Sequence, residues 1–166
     1  MPPVKEVMTT PVVTLTPEML VRDATTLLAE KNVSGAPVLD GDKIVGIFSE
    51  ADVLKSLKTT KKNLRLVFPS ISSIGIAFQE ELVQRELLEA YEEIGQKPVS
   101  EVMSHEIHTI DSESPVKAAV LKMVLNDVNR LPVTSGGRLV GIVTRGDVIK
   151  GLAEEKNGPD NNSVMS

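Results

Sequence analysis

Cysteine is absent from this chain of 166 residues, and aromatic residues make up only 2% of it. Without cysteine there is no disulfide, no thiolate metal site and no cysteine nucleophile. The core must therefore be built from aliphatic side chains and methionine. No apolar run approaches the length of a membrane-spanning helix, and the first residues lack the apolar core of a signal peptide. These absences predict an intracellular, cytoplasmic protein with no membrane partner.

An excess of basic residues is also absent, since the formal net charge is −5. This balance argues against a nucleic-acid partner, which requires a basic face. The basic residues between Lys55 and Arg65 are the one local alternative, and a solvated helix end explains them more simply. His105 and His108 are the only histidines, and a metal site would need a third ligand such as Glu106 or Asp111 in suitable geometry. Incidental exposed or half-buried histidines are the simpler interpretation. We therefore predict no metal site, no catalytic residues and no enzyme.

What the chain does contain is an internal repeat. Residues 4–54 align with residues 99–149 without a gap at an offset of 95, with 17 identical pairs in 51 positions. Most of the other apolar positions exchange for apolar ones. A repeat of this length indicates two copies of one supersecondary unit that cover each other's apolar surface.

Each copy is predicted to fold as strand, helix, strand, turn, strand and helix. In the first copy, residues 11–15 are rich in β-forming residues, and Thr16-Pro17-Glu18 is typical of a helix start. The helix after it has an apolar face of Val21, Ala24, Leu27 and Leu28, which corresponds in the second copy to Val116, Ala119, Val120, Met123 and Val124. The fold class is α/β, or α+β by stricter naming, with two βαββα repeats.

Four segments follow from this pattern. Residues 1–58 form the first repeat, 59–98 a linker, 99–154 the second repeat and 155–166 a flexible polar tail. Within the linker, residues 78–94 have a helical pattern, with Val83, Leu87, Tyr91 and Ile94 on one face. We expect this amphipathic helix to pack on the repeats or on a second subunit.

Both repeats end in a motif of glycine, two apolar residues, a hydroxyl residue, two variable residues and aspartate. Its hydroxyl residues, Ser49 and Thr144, fall at a strand-to-helix junction, where free N–H groups favour an anion. Asp52 and Asp147 follow in the first helical turn and suit a ribose diol as acceptors. A helix cap that needs no ligand, worth about 1 kcal/mol, is the alternative interpretation of each motif alone.

Two further features recur with this motif: Val-x-x-Val-Met at the head of each copy and a segment ending in Pro-Val, at residues 32–38 and 127–133. Together the three resemble the cystathionine-β-synthase (CBS) domain family. The tandem pair is similar to a Bateman module of the stand-alone prokaryotic type. The resemblance implies repeats packed sheet to sheet with pseudo-twofold symmetry, and an adenosine-type ligand bound in the clefts between them.

The resemblance also implies roles for individual residues. Thr144 and Ser49 would contact ribose or phosphate, and Asp147 and Asp52 would hold the ribose hydroxyls. Backbone groups would meet the adenine edge, and apolar residues would wall the ring. These further residues are Ile107, His108, Thr109, Val128 and Pro132 at one site and Val12, Val13, Thr14, Val33 and Pro37 at the other.

The two sites differ in charge. The second repeat has Arg130 and Arg145 where the first has Gly35 and Glu50. Because a phosphate needs positive charge nearby, we expect the site on the second motif to be the stronger one. Arg130 holds a position that is often basic in nucleotide-sensing relatives, whereas a surface ion pair is the alternative for Arg145.

These observations predict a regulatory module that binds AMP, ADP or ATP, forms a homodimer and acts on a separate, unknown protein. The alternatives are a structural dimerisation scaffold without a ligand, a binder of S-adenosylmethionine or NAD, and a nucleic-acid binder.

Overall fold

The computed structural model describes residues 1–59 and 76–157, with the backbone alone for 58–59 and 76–83. Helices and small sheets alternate along the chain, as the repeat pattern predicts. The elements are α1 (Val4–Val7), α2 (Val21–Glu30), β1 (Gly35–Asp40), β2 (Lys43–Ser49), α3 (Glu50–Thr59), α4 (Ile76–Gly95), α5 (Val99–Val102), β3 (Ile110–Asp111), α6 (Val116–Asn126), β4 (Arg130–Ser135), β5 (Arg138–Thr144) and α7 (Arg145–Lys156).

These elements form two compact units. The first-repeat unit contains Val13–Asp40 and the described residues of Val45–Glu106. The second-repeat unit contains Met1–Val12, Gly41–Ile44 and the described residues from Ile107 onward. Each unit therefore combines the body of one sequence repeat with the head of the other.

The head segments are short helices that the sequence patterns did not predict. In the second-repeat unit, the Val4 N–H donates to the Ser114 carbonyl at 2.8 Å, and Thr9 forms an antiparallel bridge with Ile142. Val4 is fully buried there, which contributes about 1.5–3 kcal/mol. In the first-repeat unit, Ser104 bridges Ile47 in the same way, and these two residues are the repeat counterparts of Thr9 and Ile142 at the offset of 95. The head of each repeat therefore packs in the unit of the other repeat through the same pairing.

The sheet of the second-repeat unit has the order β3-β4-β5, with β3 parallel and β5 antiparallel to β4. The described part of the first-repeat unit has only the two-stranded sheet β1-β2. The strand predicted at residues 11–15 is therefore wrong. Of these residues, only Leu15 pairs with β1, in a parallel bridge opposite Val38. Its N–H donates to the Pro37 carbonyl at 3.0 Å, and its carbonyl accepts from the Leu39 N–H at 2.8 Å. Pro17 has no N–H to offer, so the ladder cannot continue beyond Thr16.

The predicted helix start at Thr16-Pro17-Glu18 is also wrong. These residues form a turn in which the Met19 N–H donates to the Thr16 carbonyl at 3.2 Å, and α2 begins at Val21. Leu20 is extended and bridges Pro98 of the linker. Tertiary pairing thus keeps the chain out of the helix for four residues longer than the local signals indicate.

The predicted helical faces are largely confirmed. Val21, Ala24 and Leu28 are buried in α2, and Leu27 packs against the same cluster. Val116, Ala119 and Met123 of α6 are buried as well, and Val120 is partly buried against the same cluster. For Val124 the prediction is wrong, because this residue is 72% exposed. The face of α6 that faces solvent therefore carries apolar residues.

Helix α4 confirms the predicted linker helix and packs on α2 and α3 within the first-repeat unit. Ile94 is buried and Tyr91 lies against the same core, whereas Leu87 is 45% exposed, contrary to its predicted place on the packed face. Val83, the basic residues beyond Thr59, and the tail from Gly158 lie outside the residues for which side chains are described.

Candidate ligand-binding site

The hydroxyl residue and the aspartate of the second motif hydrogen-bond to each other at the junction of β5 and α7. Thr144 is the N-cap of α7, and both its N–H (2.9 Å) and its Oγ1 (3.0 Å) donate to Oδ2 of Asp147. The Asp147 N–H donates back to Thr144 Oγ1 at 3.4 Å. The capping arrangement that the sequence left as an alternative is therefore present. Every hydrogen bond that the Asp147 carboxylate accepts from a described residue uses Oδ2, which leaves Oδ1 as an acceptor.

Thr9 is a member of this cluster that sequence reasoning missed. Its Oγ1 lies 3.5 Å from Asp147 Oδ2, at the long limit of a hydrogen bond. It comes from the head segment that bridges β5, so the head contributes a polar group to the motif. The recurrence of a hydroxyl residue after each head methionine, Met8-Thr9 and Met103-Ser104, was the signal that pointed to it.

The two predicted arginines lie beside the same junction. Arg130, the first residue of β4, is directly opposite Thr144 in the antiparallel ladder, and its side chain is half-buried. Directly opposite residues of such a pair project to the same face of the sheet. Arg145 follows Thr144, and its Nη2 lies 3.8 Å from Asp127 Oδ1 in an exposed ion pair. Such a pair contributes little to stability.

The other predicted residues of this site belong to the same unit. Ile107, His108 and Thr109 form an irregular segment that leads into the edge strand β3, and all three are half-buried. Val128 lies two residues before β4, and Pro132 is buried within the strand. The fold therefore gathers all nine predicted residues of the second-motif site into one compact unit.

Lys122 is a second residue that sequence reasoning missed. It lies on α6, is half-buried, and donates through Nζ to the Thr109 carbonyl. Its counterpart in the first repeat is Leu27, which packs in the core of its own unit. A lysine in the register of an apolar position was the available signal.

The first motif has the same hydrogen bonds but a different environment. The Ser49 N–H (2.8 Å) and Oγ (3.2 Å) both donate to Oδ2 of Asp52. Ser49 is only 7% exposed and Asp52 only 9%, whereas Thr144 and Asp147 are half-buried. Val13, Thr14, Val33 and Pro37 belong to the same unit as this motif, but Val12 falls in the second-repeat unit.

The glycine of each motif leaves space for a methionine from the head segment. A Cβ placed on Gly141 would lie 2.4 Å from Met8 Sδ, and one on Gly46 would lie 2.4 Å from Met103 Sδ. The glycines therefore permit the heads to reach the end of the last strand.

Within residues 1–59 and 76–157, no group of three His, Asp or Glu side chains is placed to hold a metal ion. In those same ranges, no helix has both the length and the apolar character needed to cross a bilayer.

Two repeats of helices and strands that each end in the motif of a glycine, a hydroxyl residue and a capping aspartate define a tandem of CBS domains. The chain belongs to the CBS domain family, which matches it over residues 4–59 and 99–154. The resemblance seen in the sequence is thereby confirmed, and so is the predicted fold class.

Individual relatives span nearly the whole chain. Protein MJ1426 of Methanocaldococcus jannaschii is 35% identical over 152 residues, which cover 90% of each chain. The structure of CBSX2 in complex with AMP aligns with a TM-score of 0.66 at 26% identity, covering 93% of this chain and 98% of that one. The CBS pair of protein MJ0100, in complex with 5′-methylthioadenosine and S-adenosyl-L-methionine, aligns with a TM-score of 0.66 at 22% identity, covering 94% and 99%.

Proposed function

We propose that this protein is a non-catalytic regulatory module that binds an adenosine-containing ligand, with AMP as the first candidate. The binding site is formed in the second-repeat unit by the junction of β5 and α7 and by the segment 107–109. Binding changes the conformation or dynamics of the module, and a separate protein responds to that change.

The observation that carries this proposal is the grouping of complementary chemistry at one junction. Asp147 retains Oδ1 as an acceptor for a ribose hydroxyl, while Thr144 and Arg130 start from directly opposed positions. A hydroxyl and a guanidinium at a helix N-terminus suit a phosphate. Backbone groups of the irregular segment 107–109 suit the adenine edge, with Val128 and Pro132 as apolar walls.

Burial supports the choice of the second motif over the first. Ser49 and Asp52 are almost inaccessible to solvent, and their repeat has Gly35 and Glu50 where the second has arginines. A phosphate there would meet a carboxylate and no compensating cation. We therefore propose one strong site per chain, with the first site either empty or binding a less charged ligand more weakly.

The comparison with CBSX2 supports AMP as the first candidate, because that relative binds AMP and aligns over nearly the whole chain. MJ0100 supports the fold alone at its lower identity. Its two ligands, as well as NAD, ADP and ATP, are therefore tested beside AMP. No described residue favours a nucleic-acid partner.

Thermal unfolding with each ligand tests the proposal. A ligand that binds only the folded state stabilises it by about 2.7 kcal/mol at 100 times its Kd. We expect AMP to raise Tm in a concentration-dependent way and GMP, as a matched purine nucleotide, to have a smaller effect. If every adenosine compound leaves Tm unchanged at millimolar concentration, the protein is a structural scaffold and its motifs are helix caps.

We also propose that two copies associate through α6 and α7. Leu121, Val124, Leu125 and Ile149 are 51–80% exposed on these two packed helices. The corresponding α2 positions are Thr26, Ala29 and Glu30, so the apolar face is specific to the second repeat. Burial of such a face stabilises association. Light scattering should give a dimer for the wild type and a monomer for Leu125→Glu, with Leu54→Glu on α3 as the control.

A further inference from the structure

The two sites differ in charge at three positions, and the structure identifies the third. Besides Arg130 and Arg145, the second repeat has Lys122 where the first repeat has Leu27. Lys122 lies on α6, and its ammonium group donates a hydrogen bond to the backbone carbonyl of Thr109. The question is what this contact does for the irregular segment 107–109.

Thr109 immediately precedes the edge strand β3, which has only two residues. Ile110 and Asp111 are held by pairing with Val133 and Thr134 of β4. The residues before them, 105–109, belong to no helix or strand. Lys122 therefore ties the last peptide of this irregular segment to α6, thirteen residues further along the chain.

The contact is of a kind that restrains geometry. A hydrogen bond from an ammonium group is stronger than one between neutral groups, and the half-buried surroundings of both residues limit competition from water. Val116, Ala119 and Met123 anchor α6 in the core. The hydrogen bond from Lys122 therefore ties the segment to a helix whose position is fixed. In the first repeat, Leu27 cannot donate, so the corresponding Thr14 carbonyl receives nothing from that position.

We infer that Lys122 is a positioning residue: by holding the Thr109 carbonyl, it fixes the segment 107–109 in the geometry that receives the adenine base, and it makes the two motif sites of the chain unequal. This inference rests on the proposed function. Lys122 acts through the backbone of the segment and not by touching a phosphate.

Three variants separate this role from others. Lys122→Met removes the donor and keeps much of the side-chain volume, whereas Lys122→Arg restores a donor. Lys117→Met removes the same charge from an exposed position on the same helix. Circular dichroism and Tm establish that each variant is folded before any other measurement is interpreted.

Amide hydrogen–deuterium exchange of the unliganded protein gives the first readout, because it needs no ligand. In Lys122→Met we expect the amides of residues 107–110 to exchange about tenfold faster, as expected for loss of a charge-assisted hydrogen bond. Lys122→Arg and Lys117→Met should exchange at the wild-type rate. Unchanged exchange in Lys122→Met would overturn the positioning role.

Calorimetric titration with adenosine and with AMP gives the second readout. A positioning residue predicts that Lys122→Met weakens both ligands by the same factor, about tenfold, and that Lys122→Arg restores both. A loss for AMP alone would overturn the inference, since it would show a direct contact with phosphate. If wild-type protein binds neither compound, the proposed function fails, and the exchange experiment alone decides whether Lys122 fixes the segment.

Discussion

Arg130 and Thr144 are directly opposite each other in the β4–β5 ladder of the second-repeat unit. In an antiparallel pair this places the two Cα atoms about 4.5–5.5 Å apart, with both side chains on one face of the sheet. A guanidinium side chain and the hydroxyl of a helix N-cap therefore start from neighbouring positions on one face of the sheet.

Replacing Arg130 should therefore affect phosphate recognition selectively. We expect Arg130→Gln to weaken AMP binding about tenfold or more, because it removes a charge-assisted hydrogen bond, while adenosine binding stays near the wild-type value. Isothermal titration calorimetry measures both ligands. Arg138→Gln, at the opposite end of β5, provides the matched control. Equal losses for AMP and adenosine would show that Arg130 does not interact with the phosphate.

Replacing each motif aspartate should affect stability and ligand binding differently. Asp147→Ala should mainly weaken binding, and Asp52→Ala should mainly lower stability. Asp147→Ala removes a partly exposed helix cap, which costs about 1 kcal/mol, and should abolish most of the ligand-induced rise in Tm. Asp52→Ala leaves the buried Ser49 N–H without its acceptor, which costs about 1–3 kcal/mol, and should leave that rise largely intact. Urea unfolding and thermal shift measure the two effects. A larger loss of stability in Asp147→Ala than in Asp52→Ala would contradict this account.

The motif glycines should tolerate alanine unequally. In Gly141→Ala the new methyl group meets only the flexible side chain of Met8, whereas in Gly46→Ala it also lies 2.9 Å from the Ser104 carbonyl oxygen. Overpacking of this kind costs about 1–3 kcal/mol, and backbone yields less readily than a methionine. We expect Gly46→Ala to be the more destabilising substitution in urea unfolding. The reverse order would mean that Met8 has less freedom to move than Met103.

Lys5 and Glu113 allow a test of pH dependence. The hydrogen bond and the charge of Glu113 raise the pKa of Lys5 above its ordinary value. A group with a raised folded-state pKa contributes its stability fully below its unfolded pKa and loses it as the pH rises through the folded value. Because the pair is exposed, its contribution is small and screened by salt. We expect Lys5→Met and wild type to differ slightly at pH 7 in low salt and to converge as the pH rises through the raised pKa of Lys5.

The sequence repeat predicted most of what positions the site. The strand-to-helix junction, the cap between Thr144 and Asp147, and the apolar faces of α2 and α6 all depend on local patterns, which recur at one offset and so confirm each other. Thr9 was missed because its partner Asp147 is 138 residues away in the sequence. Lys122 was missed because its acceptor is a backbone carbonyl, which no side-chain pattern marks. Local signals also failed at Thr16-Pro17-Glu18, where pairing of Leu20 with Pro98 overrides a good helix start.

The exchange of heads also has a consequence for biosynthesis. The first-repeat unit has all its parts once Glu106 has left the ribosome, whereas the residues around Val4 must wait for Ser114 and Ile142, more than a hundred positions later. Closing so long a loop is slow, because its entropy is lost before any contact forms. The head of the first repeat is thus synthesised long before the residues it packs against, and cutting the gene between the repeats would leave two fragments that each lack a piece of their own interior.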